Sequence, residues 1–111
     1  MRLIPARVHP EAKAELRSVR DYYRSIRLEL AVRVLDDHNA ALWYVRSFPQ
    51  VGAPIFDSYR HVVLPRFPYM IVYQPFENVV HVLAVFHLKR DPAWMECQLA
   101  GRTFSDEIRS A

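Results

Sequence analysis

The chain has 111 residues, with 15 Lys+Arg against 12 Asp+Glu for a formal net charge of +3, and 51% of its residues are hydrophobic. That length suits one small domain with an apolar core and excludes a multidomain enzyme. Cys97 is the only cysteine, which excludes an internal disulfide framework and a cysteine-rich zinc site and points to a reducing compartment.

The basic residues are almost all arginine, with Lys13 and Lys89 the only lysines. Planar guanidinium groups bind phosphate and carboxylate in a bidentate way, so the bias suits an anionic partner, although codon usage alone produces it too. The N-terminal residues lack an apolar stretch of signal-peptide length, and no apolar run approaches the ~20 residues of a membrane span. A cytoplasmic protein with no membrane partner is expected.

In chain order, Leu3 to Val8 reads as a strand that His9-Pro10 ends, since proline disfavours α conformation before it and suits a helix's first turn after it. Ala12, Leu16, Val19, Tyr23 and Ile26 then recur on one helical face, giving a helix over residues 10–26. A second helix follows from Leu28 to Ser47, stopped by Phe48-Pro49, and the two form a hairpin joined near Ser25 to Leu28. Pro49, Gly52 and Pro54 mark a loop. From Tyr59 the period changes to two, and three runs of β-branched and aromatic residues, Tyr59–Leu64, Phe67–Gln74 and Val79–Leu88, predict an antiparallel meander.

The turns fall at Pro65-Arg66 and at Pro75 to Asn78. The last strand is apolar on both faces, Val80, Val82, Ala84 and Phe86 on one and Leu83 and Val85 on the other, which suggests the sheet's centre. Asp91-Pro92 opens a short helix containing Trp94, and the polar tail from about residue 99 to 111 is expected to fray in the absence of a partner. The predicted class is α+β: a single two-layer β-α-α-β-β-β domain spanning 1–111, with the helical hairpin packed on a twisted antiparallel sheet and the first strand at an edge or beside the last.

Two groups of residues suit chemistry or binding. Lys13, Arg17, Arg20, Arg24 and Arg27 form a stripe along the first helix, one residue out of phase with its apolar face; it fits either a solvated face or a surface for an anionic partner. Only Asp21 is placed to neutralise part of it. The second group lies on the sheet: Arg60, His61, Arg66, Tyr69, Tyr73, His87, Lys89 and Arg90. The meander can bring Arg66, His87, Lys89 and Arg90 to one end, where His87 has acid–base capacity near neutral pH. Arginines and tyrosines on an open sheet face suit nucleic acid, while the same tyrosines also suit packing. His38 falls on the apolar side of the second helix and reads as a hydrogen-bonded core histidine. The histidine spacing does not suit a metal, two glycines cannot build a phosphate loop, and no base is evident beside Cys97, so neither metal nor other cofactor is expected.

The run Arg66-Phe67-Pro68-Tyr69-Met70-Ile71-Val72-Tyr73, then Val79 to Phe86 and His87-Leu88-Lys89-Arg90-Asp91-Pro92-Ala93-Trp94, resembles the C-terminal half of the RelE/ParE toxin superfamily. Val8-His9-Pro10-Glu11-Ala12, Phe48-Pro49-Gln50-Val51-Gly52 and Tyr59-Arg60 resemble its ParE-like members, and the likeness spans about residues 3–95. The resemblance implies a type II toxin–antitoxin system toxin that inhibits growth, with plasmid stabilisation as a family role. It implies neutralisation by a cognate antitoxin whose acidic segment folds on binding, in a toxin–antitoxin hetero-oligomer.

ParE-like members act on DNA gyrase, whereas RelE-like members are ribosome-dependent endoribonucleases that cut mRNA through attack of a 2′-hydroxyl. Gyrase is the expected target, with the ribosome and mRNA as the alternative, so enzymatic activity depends on which holds. In the nuclease case the resemblance gives catalytic roles to His87, Arg66, Arg90 and Lys89. Whichever target holds, the residues expected to bind the target or nucleic acid are Arg60, His61, Tyr69, Tyr73, Lys13, Arg17, Arg20 and Arg24. The chain departs from the RelE-type pattern in lacking a tyrosine near the C-terminus, where Trp94 is the nearest aromatic, and in lacking lysines between Lys13 and Arg60.

Overall fold

The computed structural model describes residues 3–104. Strand β1 (Ala6–Val8) is shorter than the predicted run and gives way to His9, whose extended backbone and Nδ1, accepting the Glu11 N–H at 3.1 Å, cap helix α1 (Pro10–Ile26). Arg27 alone joins α1 to α2 (Leu28–Ser47), so the hairpin turns on a single residue. Its N–H still closes on the Tyr23 carbonyl at 2.9 Å. Both helix ranges agree with those read from periodicity.

The sheet has five strands in the order β1-β5-β4-β3-β2, with β2 at Ala53–Ile55, β3 at Tyr59–Val63, β4 at Tyr69–Phe76 and β5 at Val79–His87. Three features differ from expectation. The stretch assigned to a loop contributes the three-residue edge strand β2, antiparallel to β3. Strand β1 does lie at the edge beside β5, but runs parallel to it, because the hairpin returns the chain to the same end of the sheet before the meander starts. The sheet is therefore mixed, and β4 rather than β5 is its middle strand.

The β4–β5 turn is tighter than predicted. Phe76 faces Val79 across two residues, Glu77 (φ 49°) and Asn78 (φ 63°), both left-handed as a hairpin of this length favours. Pro75 is tolerated inside β4 because β3 pairs with β4 only from Arg60 opposite Tyr73 onward, leaving the β5 side to carry the ladder.

A bulge resets the faces of β5. Val72 lies opposite Ala84 and Tyr73 opposite Val82, so Leu83 has no partner on β4 and the alternation changes phase there. Val80, Val82 and Val85 join the core beneath the hairpin with Ala12, Val34, Ile71 and Tyr73. Leu83, Ala84 and Phe86 join a second cluster beneath helix α3 (Pro92–Ala100), with Met70, Val72, Met95 and Leu99. The strict alternation expected for Val80 to Phe86 is thus broken, and His81 lies on the opposite face from Val85 and His87.

The C-terminal end is also corrected in part: Arg102 and Phe104 are buried rather than frayed. The remainder of the tail, 105–111, lies outside the described residues. Among the described residues no helix is long and apolar enough to cross a membrane.

Candidate functional site

A groove of about 650 Å³ opens between α1, the end of β5 and α3. One wall is cationic and aromatic. The chain leaves β5 at His87, and the Leu88 N–H donates to the Pro68 carbonyl at 2.9 Å, which fixes the following turn against the start of β4. Within that turn Lys89 N–H donates to His87 Nδ1 at 3.0 Å, and Asp91 caps α3 by accepting the Ala93 N–H. Arg90 stacks over Trp94, 4.3 Å from the ring centre. His87, Lys89, Arg90 and Trp94 therefore come together at one place.

Tyr69 meets His87 edge-to-face with ring centres 5.0 Å apart. Burial first, then Tyr23 beside it, pushes the Tyr69 phenol pKa up to about 12, so it stays protonated throughout the neutral range. The opposite wall is acidic: Glu11 and Glu15 of α1 line the groove. Glu15 is held, accepting from Val85 N–H at 2.9 Å and from both Arg102 terminal nitrogens at 2.9 and 2.6 Å.

Arg66, expected beside His87, is directed elsewhere. Asp37, with 4% of its surface exposed, accepts from Arg66 Nε (3.0 Å), Nη2 (2.6 Å) and the Arg66 backbone N–H (3.1 Å). A carboxylate buried on α2 requires a counter-charge, and the turn after β3 supplies one. The hydrogen bond to Asp37, then its charge, raises the guanidinium pKa. The expected end cluster of four thus has three members.

The sheet residues predicted to meet a target are mostly used internally. Tyr73 is fully buried under the hairpin; its hydroxyl accepts the Gly52 N–H at 2.9 Å and donates to the Pro49 carbonyl at 2.7 Å. A Cβ on Gly52 would come within 2.7 Å of that hydroxyl and 2.8 Å of the His61 carbonyl, so the close approach requires glycine. Arg60 Nη1 donates to the Gln50 and Gly52 carbonyls at 3.1 and 2.7 Å, pinning the same loop. His61 Nδ1 lies 3.1 Å from the Ala53 carbonyl on β2. Tyr69 and Tyr73 pack toward the hairpin, which is the packing alternative of the two readings.

The α1 stripe remains on the surface, with Lys13, Arg17 and Arg24 exposed. Asp21, expected to serve Arg17 and Arg24, instead pairs with Arg20 at 2.9 Å, and Arg27 pairs with Glu29 at 3.2 Å. His38 is a core histidine, 4% exposed, but its Nδ1 has no hydrogen-bond partner. Burial lowers its pKa below 6.5, opposed by a hydrogen bond with the Asn39 side chain. Among the described residues no group of three or more His, Cys, Asp or Glu could hold a metal ion. The pair that sequence reasoning missed is Glu15 with Arg102: 87 positions separate them, and no local pattern links them.

A helical hairpin laid on a five-stranded sheet, with a cationic turn at the end of β5, defines an α+β domain of the RelE/ParE kind. The same fold occurs in a solved chromosomal ParDE TA system from P. aeruginosa (TM-score 0.69, 16% identity, 78% of this chain and 98% of that one). The family model "ParE toxin of type II toxin-antitoxin system, parDE" matches residues 6–92, and the chain belongs to this family. Curated relatives are Toxin ParE2 of two Mycobacterium tuberculosis strains, CDC 1551 / Oshkosh and H37Rv, each 38% identical over 56 residues. Those matches span 50% of this chain and 53% of the relatives' length.

Proposed function

We propose that the chain is a growth-inhibiting toxin that acts in the cytoplasm by engaging DNA gyrase, and that a cognate antitoxin with an acidic segment restrains it. Membership of the ParE family supports the class. The observation that carries the choice of target is the withdrawal of Arg66 from the cluster of His87, Lys89 and Arg90, which leaves the remaining three facing an acidic wall. Arg66 is committed to Asp37, and His87 Nδ1 is occupied by the Lys89 N–H. Cutting RNA by 2′-hydroxyl attack needs a base, an acid and several donors converging on one phosphate. Here the cations share the groove with Glu11 and Glu15, and carboxylates lining the same groove disfavour a polyanion.

The experiment is induction of the chain alone in a bacterial host, with growth, the DNA-damage response and mRNA 5′ ends followed together. Growth arrest with induced DNA damage and intact mRNA is expected, and His87→Ala should retain the arrest. Codon-positioned mRNA cuts that vanish in His87→Ala would overturn the gyrase reading in favour of the nuclease. Unimpeded growth, with no binding by the product of a neighbouring reading frame, would overturn the toxin reading itself.

A further inference from the structure

Strand β1 stops at Val8, opposite Val82, and the chain turns into α1 there. Beyond that point β5 has no strand neighbour on this side, and its backbone groups need other partners. Two side chains supply them. Glu15 accepts the Val85 N–H, and Arg102, whose side chain is 2% exposed, donates to the Leu83 carbonyl at 2.9 Å. The two side chains are also paired with each other, so one ion pair stands in for the missing strand.

Arg102 belongs to a short strap, Gly101–Phe104, that follows α3. The strap has a second anchor in Phe104, 6% exposed, whose ring lies 4.4 Å from His81 and 5.6 Å from His9. Helix α3 itself contributes only Met95 and Leu99 to the buried cluster, with Trp94 beside Phe86. The attachment of residues 92–104 therefore rests on few groups, of which the Arg102–Glu15 pair is the most buried charge.

We propose that α3 and the strap open together as one unit, hinged at the turn between β5 and α3, and that the Arg102–Glu15 pair is the latch that sets how often they do so. A buried ion pair adds little net stability relative to the same two charges in water, so release as a unit is inexpensive. The latch also carries an unmet donor, since Arg102 Nε has no partner when it is closed. Removing Arg102 alone is different in kind, because the partly buried Glu15 then keeps only the Val85 N–H and loses its counter-charge. Opening would withdraw Trp94, Gln98 and Arg102, which form one wall of the groove beside His87. The groove would then exist only in the closed state; its importance for target binding rests on the function proposed above, whereas the latch does not.

Native-state hydrogen exchange of the purified full chain across a denaturant series tests this. In the unmodified protein, amides of α3 and the strap should exchange as one group, by an opening smaller and more frequent than the global unfolding reported by β4 and β5. Arg102→Met should raise opening of that group about a hundredfold or more, with little change in the α2 amides. Combining it with Glu15→Gln should recover much of the loss. The proposal is overturned if α3 exchanges only through global unfolding in the unmodified protein, a result that needs no variant to fold. It is equally overturned if α3 opens while the strap stays protected, or if Arg102→Met accelerates every amide alike. None of these outcomes depends on toxicity, so a failed toxin assay and a failed latch are distinguishable.

Discussion

Replacing Tyr73 with phenylalanine asks whether that residue is part of the scaffold or of a binding face. The ring fills the same buried volume in either case, so packing is preserved and only the hydroxyl is lost. That hydroxyl is the partner of the Gly52 N–H and of the Pro49 carbonyl. A buried donor or acceptor left unpaired costs about 1–3 kcal/mol. Gly52 is buried and bears the full cost, whereas Pro49 is half-buried and can recover part of its bond from water. The expected loss is about 2–3 kcal/mol. For a domain of this size 1 kcal/mol corresponds to about 4 °C, so Tm should fall by about 8–12 °C in a melt followed by circular dichroism. Growth inhibition should persist at temperatures where the variant remains folded. A Tm shift below about 2 °C, or loss of inhibition without loss of stability, would refute the structural role and return Tyr73 to the target surface.

Other expectations follow from the same geometry. Gly52→Ala should destabilise by at least about 1–3 kcal/mol, since its Cβ meets the Tyr73 hydroxyl and the β3 backbone; a neutral melt would contradict it. Arg66→Ala should lower the melting temperature through the stranded Asp37 carboxylate, and Asp37→Asn in that background should restore part of it. Glu77→Gly should raise stability by about 0.5–1 kcal/mol, because a glutamate held at φ 49° forms the first half of the β4–β5 turn; a destabilised hairpin would count against that turn type. His38 has a lowered pKa in the folded state, so the unfolded chain binds the proton first as pH falls below about 6.5. Its contribution is present above that value and lost on acidification toward the folded pKa. Melts at pH 7.5 and 5 should show a smaller acid loss for His38→Leu than for the unmodified chain, and an equal loss would dismiss the effect.

The helices were legible because their signals are local. His9-Pro10 and Phe48-Pro49 punctuate the chain, and between them the apolar residues keep a 3.6-residue period that only a helix can bury on one face. The change to period two at Tyr59 was equally plain. What escaped was non-local or lacked a marker. Strand β2 is three residues long, contains Pro54 and owes its existence to pairing with β3. The bulge at Leu83 carries no glycine, so the run Val80 to Phe86 reads as unbroken alternation while the faces in fact exchange. For the site, His87, Lys89, Arg90 and Trp94 fall together because they are neighbours in sequence. Arg66 and Arg102 were misplaced because the carboxylates that claim them, Asp37 and Glu15, lie on the helical hairpin far upstream.

The arginine-rich composition suits an anionic partner, but much of that charge is used inside the fold. Arg46 donates to the Ile4 carbonyl, Arg60 pins the loop before β2, Arg66 serves Asp37 and Arg102 serves Glu15. Arg66 and Arg102 use the fork geometry that favours arginine over lysine for multiple, directional bonds. Arg20 and Arg27 pair with acids beside them, and Arg90 lies flat on Trp94. The outward cations that make no ion pair among the described residues include Lys13, Arg17 and Arg24 on α1 and Lys89 at the groove. Three lie on α1 outside the groove and one at the groove, whereas a nucleic-acid backbone is neutralised best when cations follow the spacing of successive phosphates. Two small cationic patches flanked by exposed Tyr22, Ile26, Leu28 and Val32 suit instead a protein surface that offers carboxylates beside apolar side chains. Under the function proposed above, that pattern favours a target contact made to protein rather than to nucleic acid.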